Sequence, residues 1–299
     1  MLNADPTLRR VLEYYTAPAV MTSVGSNGPL YRGLPEDIEG LTRALHGLVI
    51  HEHIAAAYGV ALTADRRSSV HVRPVERILD RLMAIDGAPL TSPRPPEQRL
   101  AGNCRHFTVL AVSMLRSQGV PARARCGFGG YFGSNSFEDH WVCEYWNREQ
   151  RRWILVDAQV DEVQAGFFHP DFDLLDVPRD RFVVAGDAWA RCRAGEDDPG
   201  RYGLSLFNEA GLWWIAGNLL RDVASLRNME MLPWDIWGAM PAPEDTIGED
   251  ELVLFDRLAT LTREPDEAFG DIASAYQEDD RVRVPATVRN AALDRVEAV

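Results

Sequence analysis

Three residues in the middle third of the chain have the types and spacing to attack a carbonyl together. Cys104 stands in "GNCRHFTVLAVSMLRSQGVPARARC", where it opens an apolar helical pattern; His140 lies in "DHWVCEYW" and Asp157 in "RWILVDAQ". A thiol on the first turn of a helix meets unpaired backbone N–H groups and the positive end of the helix dipole. Both favour thiolate over thiol. An adjacent imidazole can take the thiol proton, and a carboxylate can hold that imidazole in one tautomer. The same N–H groups can stabilise the oxyanion formed on attack.

This chemistry needs a helix and a hairpin. Asn103 is a suitable N-cap, and Gly119 followed by Pro121 ends the helix. Phe107, Leu110, Ala111, Met114 and Leu115 line one face, while Val109 and Val112 make the remainder apolar, so the helix is buried on several sides. Strands are expected at "ARARCGF", "HWVCEYW" and "WILVDAQ", the last two joined by "NREQRR". A turn centred between Arg148 and Glu149 sets His140 opposite Asp157, Val142 opposite Leu155 and Glu144 opposite Trp153. Directly opposed residues share a face, with Cβ atoms about 4.5–5.5 Å apart. A slip of one residue would put them on opposite faces.

Before the cysteine, a long helical pattern runs from Pro35 through "EDIEGLTRALHGLVIHEHIAAAY", with Ile38, Leu41, Leu45, Leu48 and Ile54 at helical spacing. A second helix starts at Pro74 and covers "VERILDRLMAI"; "TSPRPPEQR" is a loop. Residues 1–35 show turn signals around little periodic structure. Beyond residue 160 the pattern is mainly helical, with the Trp-rich pieces "GLWWIAGNLLRDVASL" and "LPWDIWGAM" and a polar helical tail. The fold class expected is α+β.

Composition narrows the function. The 299 residues are 46% hydrophobic and 25% charged, as in ordinary globular proteins. A net charge of −14 opposes nucleic-acid phosphates and anionic membranes. No apolar run has the length of a membrane span, and "MLNADPTLRR" has no signal-peptide character, so the expected location is cytoplasmic. All 31 basic residues are Arg, so no lysine amine is available as a Schiff base or acyl acceptor. The four cysteines, Cys104, Cys126, Cys143 and Cys192, fit no zinc spacing and are expected as free thiols.

The segment from about Leu100 to Gln159 resembles the transglutaminase-like superfamily, a branch of the papain-like cysteine enzymes. The resemblance rests on "GNC" opening a helix, "LRSQGVPARAR" leading into a strand, "DHWVCEYW" and "RWILVDAQ". It implies a papain/transglutaminase-like core, with a central cysteine-bearing helix on an antiparallel sheet and extra helices at both ends. It also implies Cys104 as nucleophile, His140 as base and Asp157 as orienter. The chain departs from protein-crosslinking members: Arg105 replaces the tryptophan that usually follows the cysteine, and no acidic calcium loop is evident. Protein crosslinking is therefore not expected.

The expected organisation is a mainly helical part over 1–95, a catalytic core over 96–165 and a mainly helical extension over 166–299. The expected activity is acyl transfer or hydrolysis at an amide or thioester through an acyl-enzyme. No cofactor or metal is called for. The substrate is a small molecule, a peptide or a carrier-bound acyl group, with no nucleic acid or membrane partner. The tryptophans of the extension (Trp213, Trp214, Trp234 and Trp237) are expected to fold over the cleft and restrict water. Gln98 is a candidate second oxyanion donor, and His106 a structural residue. Two other readings are open: a metal-dependent hydrolase built on His51 and His53, and a non-catalytic interaction protein on the same fold. On a helix, residues two apart do not share a face, which weighs against a metal held by His51 and His53.

Overall fold

The computed structural model describes residues 5–133 and 135–299; the first four residues of "MLNADPTLRR" lie outside the described residues. The chain forms two compact units, neither continuous in sequence. The cysteine-bearing unit comprises Leu12–Ala124 and Val142–Val177 and includes Cys104 and Asp157. The histidine-bearing unit comprises Met1–Val11, Arg125–Trp141 and Pro178–Val299 and includes His140.

The N-terminal stretch is more regular than its turn signals predict. Helix α1 (Pro6–Thr16) buries Val11 and Tyr15, one helical turn apart. The long helix expected from Pro35 is cut short. Helix α2 (Ile38–His46) starts at Asp37, whose carboxylate accepts the Gly40 N–H, and stops before Gly47. At Gly47 a Cβ would come within 2.9 Å of Pro93, so the chain packs there as only glycine allows. Strand β1 (Val49–His51) follows and pairs in parallel with β2 (Leu100–Gly102). The β-branched Val49 and Ile50 suit an extended backbone, and the β2 ladder satisfies their backbone groups. Leu48 and Ile54 thus recur at helical spacing without a helix between them.

A single turn, α3 (Ala64–Arg67), precedes α4 (Val75–Ile85). Helix α4 begins one residue after the expected start, with Pro74 extended just before it, and Val75, Ile78, Leu79 and Leu82 are buried. Helix α5 (Cys104–Ser117) begins at the cysteine and is buried from Cys104 to Arg116, in agreement with its all-round apolar pattern.

Strands β3 (Ala122–Gly129) and β4 (Phe137–Asn147) follow, and β4 pairs antiparallel with β5 (Arg152–Val156). The observed register corrects the expected one by two residues. Glu144 stands opposite Leu155 and Trp146 opposite Trp153, and the ladder ends at Cys143 and Val156. The turn is longer than two residues because Asn147 organises it. Its side-chain oxygen accepts the N–H groups of Glu149 and Gln150, and Arg151 closes the loop with φ +52°. An even shift preserves faces, so positions 153 and 155 stay on the face of 144 and 146. In the same unit Arg123 donates to Glu144 at 2.6 Å and stacks 4.0 Å from the Trp153 ring. The unit closes with α6 (Glu162–Phe168), capped by Asp161, which accepts the Gln164 N–H.

In the histidine-bearing unit β3 lies between β6 (Phe182–Val184) and β4; β4 pairs in parallel with β7 (Tyr202–Leu204), and β8 (Glu209–Ala210) is outermost. The sheet is therefore mixed rather than purely antiparallel. Helices α7 (Ala185–Arg193), α8 (Leu212–Leu226), α9 (Glu249–Arg263) and α10 (Phe269–Glu278) pack together. The expected helical tail is instead a small sheet, β11 (Arg295–Ala298), β10 (Thr287–Asn290) and β9 (Asp235–Ile236). Its alternating burial, with Val288 and Asn290 inward, is the period of a strand.

Candidate active site

The start of α5 is built by its two preceding residues. A Cβ on Gly102 would lie 2.9 Å from both His106 Cβ and Val49 Cγ1, so glycine lets β2, β1 and the helix approach closely. Asn103 has an extended backbone, and its N–H lies 3.4 Å from His106 Nδ1. His106 is fully buried; burial, then the Arg105 charge, push its pKa down to about 3. It is neutral at physiological pH and serves the cap, in line with the structural role expected. Cys104 itself is 6% exposed.

Strand β1 brings a second set of polar residues to this helix start. His51 pairs with Gly102, and the Glu52 N–H donates to Gly102 O at 2.9 Å. These residues are not helical, so the argument that His51 and His53 cannot meet is corrected: their ring centroids are 5.7 Å apart. Among the described residues no group of three or more His, Cys, Asp or Glu side chains is placed to hold a metal ion. Glu52 is mostly buried, and desolvation raises its pKa to about 7 against the opposing charge of Arg67. It therefore holds its proton more tightly folded than unfolded. Its contribution favours the fold below about pH 4.5 and is lost as the pH rises through about 7. Glu52→Gln is expected to raise the melting temperature at about pH 8 and to leave it unchanged at about pH 4. Equal shifts at both pH values would assign the effect to packing instead.

Asp157 follows β5, is completely buried, and leaves the ladder because its N–H donates to Leu174 O. Its Oδ1 accepts the N–H of Gln159 at 2.9 Å and of Val160 at 3.3 Å, so the carboxylate organises its own turn. A cleft of about 670 Å³ opens beside it in the same unit, with His46, Tyr58, Arg99, Asp161 and Leu174 among its walls. Burial lowers the His46 pKa against the fields of Asp161 and Asp157, and its ring bonds the Ala158 backbone. None of His46, Tyr58, Asp161 or Gln164 emerges from the sequence reading. The one local signal was "DEVQ", in which Asp161 and Gln164 have the spacing of a helix cap.

His140 is 2% exposed and sits among aromatic rings of its own unit: Phe132 at 4.7 Å, Tyr131 at 6.0 Å and Phe182 at 6.2 Å. The neighbouring Asp139, on the opposite face of β4, accepts the Trp214 indole N–H at 2.7 Å and the Asn218 amide at 3.0 Å. Burial raises the Asp139 pKa, with Arg221 opposing. Trp214 thus meets β4 on the face turned away from His140, while Trp213 donates to Ala210 O and Trp237 to Val282 O. Trp214 therefore anchors α8 against β4 rather than facing the His140 side of the strand.

The other thiols are poor nucleophiles by environment. Burial pushes the Cys143 pKa far up, and burial with Asp197 and Asp198 pushes Cys192 up to about 11. Cys126 is wholly buried, and its N–H is bound by Asp222. Gln98 is exposed at the end of a short 3₁₀ turn, separated from Cys104 by β2.

Among the described residues no helix is long and apolar enough to cross a membrane. Residues 75–158 match the sequence family described as the transglutaminase-like superfamily, a span that includes Cys104, His140 and Asp157. No curated protein matches the chain. A solved structure of a candidate cysteine protease from Cytophaga hutchinsonii is 15% identical with a TM-score of 0.35, over 61% of this chain and 47% of that one. The chain thus spans about half the length of that protein. The similarity to that superfamily thus runs from the start of α4 to just past Asp157.

Proposed function

We propose that the protein is a cysteine-dependent acyl-transfer enzyme acting on an amide or thioester carbonyl, with Cys104 as nucleophile, His140 as base and Asp157 as orienter. The observation that carries this reading is a cysteine at the first position of a helix buried from Cys104 to Arg116, inside a segment similar to the transglutaminase-like superfamily. A buried histidine on β4 and a buried aspartate after β5 support it. The thiol gives its proton to His140, and Sγ bonds the carbonyl carbon. His140 returns the proton to the departing amine or thiol as the C–N or C–S bond breaks. Water or an amine then attacks the acyl-enzyme, His140 takes the incoming proton, and the C–S bond to Cys104 breaks to regenerate the thiolate.

A cleft of about 670 Å³ beside Asp157 is the size of small-molecule sites, which favours a small or short-peptide acyl donor, free or carrier-bound. Four free thiols fit a reducing, cytoplasmic setting. The test is a panel of amide and thioester donors screened by intact-mass spectrometry. A donor-sized mass increase mapped to Cys104, cleared by water or by added amine, is expected. Adducts on other residues, or none across the panel, would sink the proposal.

A further inference from the structure

The turn after Asp157 is held by a set of side-chain hydrogen bonds centred on Gln164 that the reaction itself does not use. Gln164, on the first turn of α6, is 1% exposed, and its amide is fully engaged. Its Oε1 accepts the Gln159 side-chain N–H at 2.9 Å; its Nε2 donates to Gln159 O at 3.2 Å and to the Tyr58 hydroxyl at 3.1 Å. Tyr58 in turn donates to Asp161, which also receives the Gln164 backbone N–H at 3.0 Å. Gln159 is thus clamped at both its side chain and its carbonyl. Its own N–H is one of the two that bind Asp157 Oδ1.

A buried amide with every donor and acceptor satisfied specifies one arrangement, because any other leaves a polar group unpaired in a dry site. With Oδ1 tied to the N–H groups of Gln159 and Val160, the turn that Gln164 holds is the one that carries two of the bonds to the Asp157 carboxylate.

We infer that Gln164 is a positioning residue for Asp157, acting through Gln159 and braced by Tyr58, so that the α6 cap and the Asp157 turn form one unit. This inference rests on the proposed role of Asp157 and deepens it. The groups facing the clip are Tyr58, Asp161 and, across the cleft, His46 and Arg99. Because Tyr58 and Asp161 also line that cleft, a molecule bound there touches the brace that orients Asp157.

The test uses the full chain and iodoacetamide as the probe, following alkylation of Cys104 by peptide mapping from about pH 5 to pH 9. A well-oriented carboxylate stabilises the imidazolium, which in turn lowers the pH at which the thiolate forms. Asp157→Asn is expected to move the alkylation profile to higher pH. Gln164→Leu is expected to move it the same way by about one pH unit, or roughly tenfold slower alkylation at pH 6. The double variant should move it no further than Asp157→Asn alone, since both act on one carboxylate. Tyr58→Phe, which removes only the bracing hydroxyl, is a milder version that serves if Gln164→Leu does not fold; a smaller upward shift is expected. If Asp157→Asn shifts the profile while Gln164→Leu and Tyr58→Phe overlay the wild type, Gln164 merely stabilises the fold and the inference is overturned. If Asp157→Asn itself leaves the profile in place, the proposed role of Asp157 has failed, and the positioning role fails with it.

Discussion

Asp157→Asn is expected to lower turnover about 10³–10⁴-fold, and Cys104→Ala to abolish acyl-enzyme formation, with any donor that acylates the wild type. Asparagine is the informative substitution because its Oδ1 can still accept the N–H groups of Gln159 and Val160. The turn is then preserved while the negative charge is lost. The amide no longer favours the imidazole tautomer that receives a thiol proton, and it does not stabilise the imidazolium. His140→Ala should lose at least as much, since the base itself is removed. The check is single-turnover acylation followed by intact mass, with thermal melts to confirm folding. Wild-type rates from Asp157→Asn and His140→Ala would mean that the three residues do not act together.

Asp222→Ala is expected to cost about 3–5 kcal/mol of stability, the scale for breaking a buried ion pair by removing one partner. Arg125 and Asp222 have side chains 1% and 0% exposed and pair through two parallel bonds of 3.0 and 2.8 Å. Asp222 Oδ1 also accepts the Cys126 N–H at 2.9 Å, so the substitution takes an acceptor from a backbone donor on β3 as well as from a guanidinium. Arg125 would keep the Thr262 carbonyl at 2.8 Å. Urea denaturation reads the loss directly. The exposed pair Arg193–Asp256 provides the contrast, at under about 1 kcal/mol for Arg193→Ala, which leaves the Trp189 indole N–H on Asp256 at 2.7 Å. A loss below about 1 kcal/mol for Asp222→Ala would show that Arg125 can swing out to water.

The sequence by itself determined the elements whose signals are local. Pro74 and the spacing of Val75, Ile78, Leu79 and Leu82 specified α4; Asn103, an all-apolar run and Gly119 specified α5, with Cys104 at its first position. Apolar runs on either side of "NREQRR" specified the β4–β5 hairpin. Tertiary structure decided what depends on partners distant in the chain. Val49–His51 is a strand because Leu100–Gly102 offers it a ladder, although helical spacing continues through it. The hairpin register turned on whether Asn147 would cap its own loop, a competition among a few hydrogen bonds that periodicity does not encode. Trp214 was readable as a large apolar residue, but only the fold pairs its indole with Asp139 rather than with a cleft. The Gln164 clip joins Tyr58 to Asp161 across 103 positions of chain. Propensity and period are summed over a few neighbouring residues, whereas buried polar groups are satisfied by whatever the folded chain brings to them.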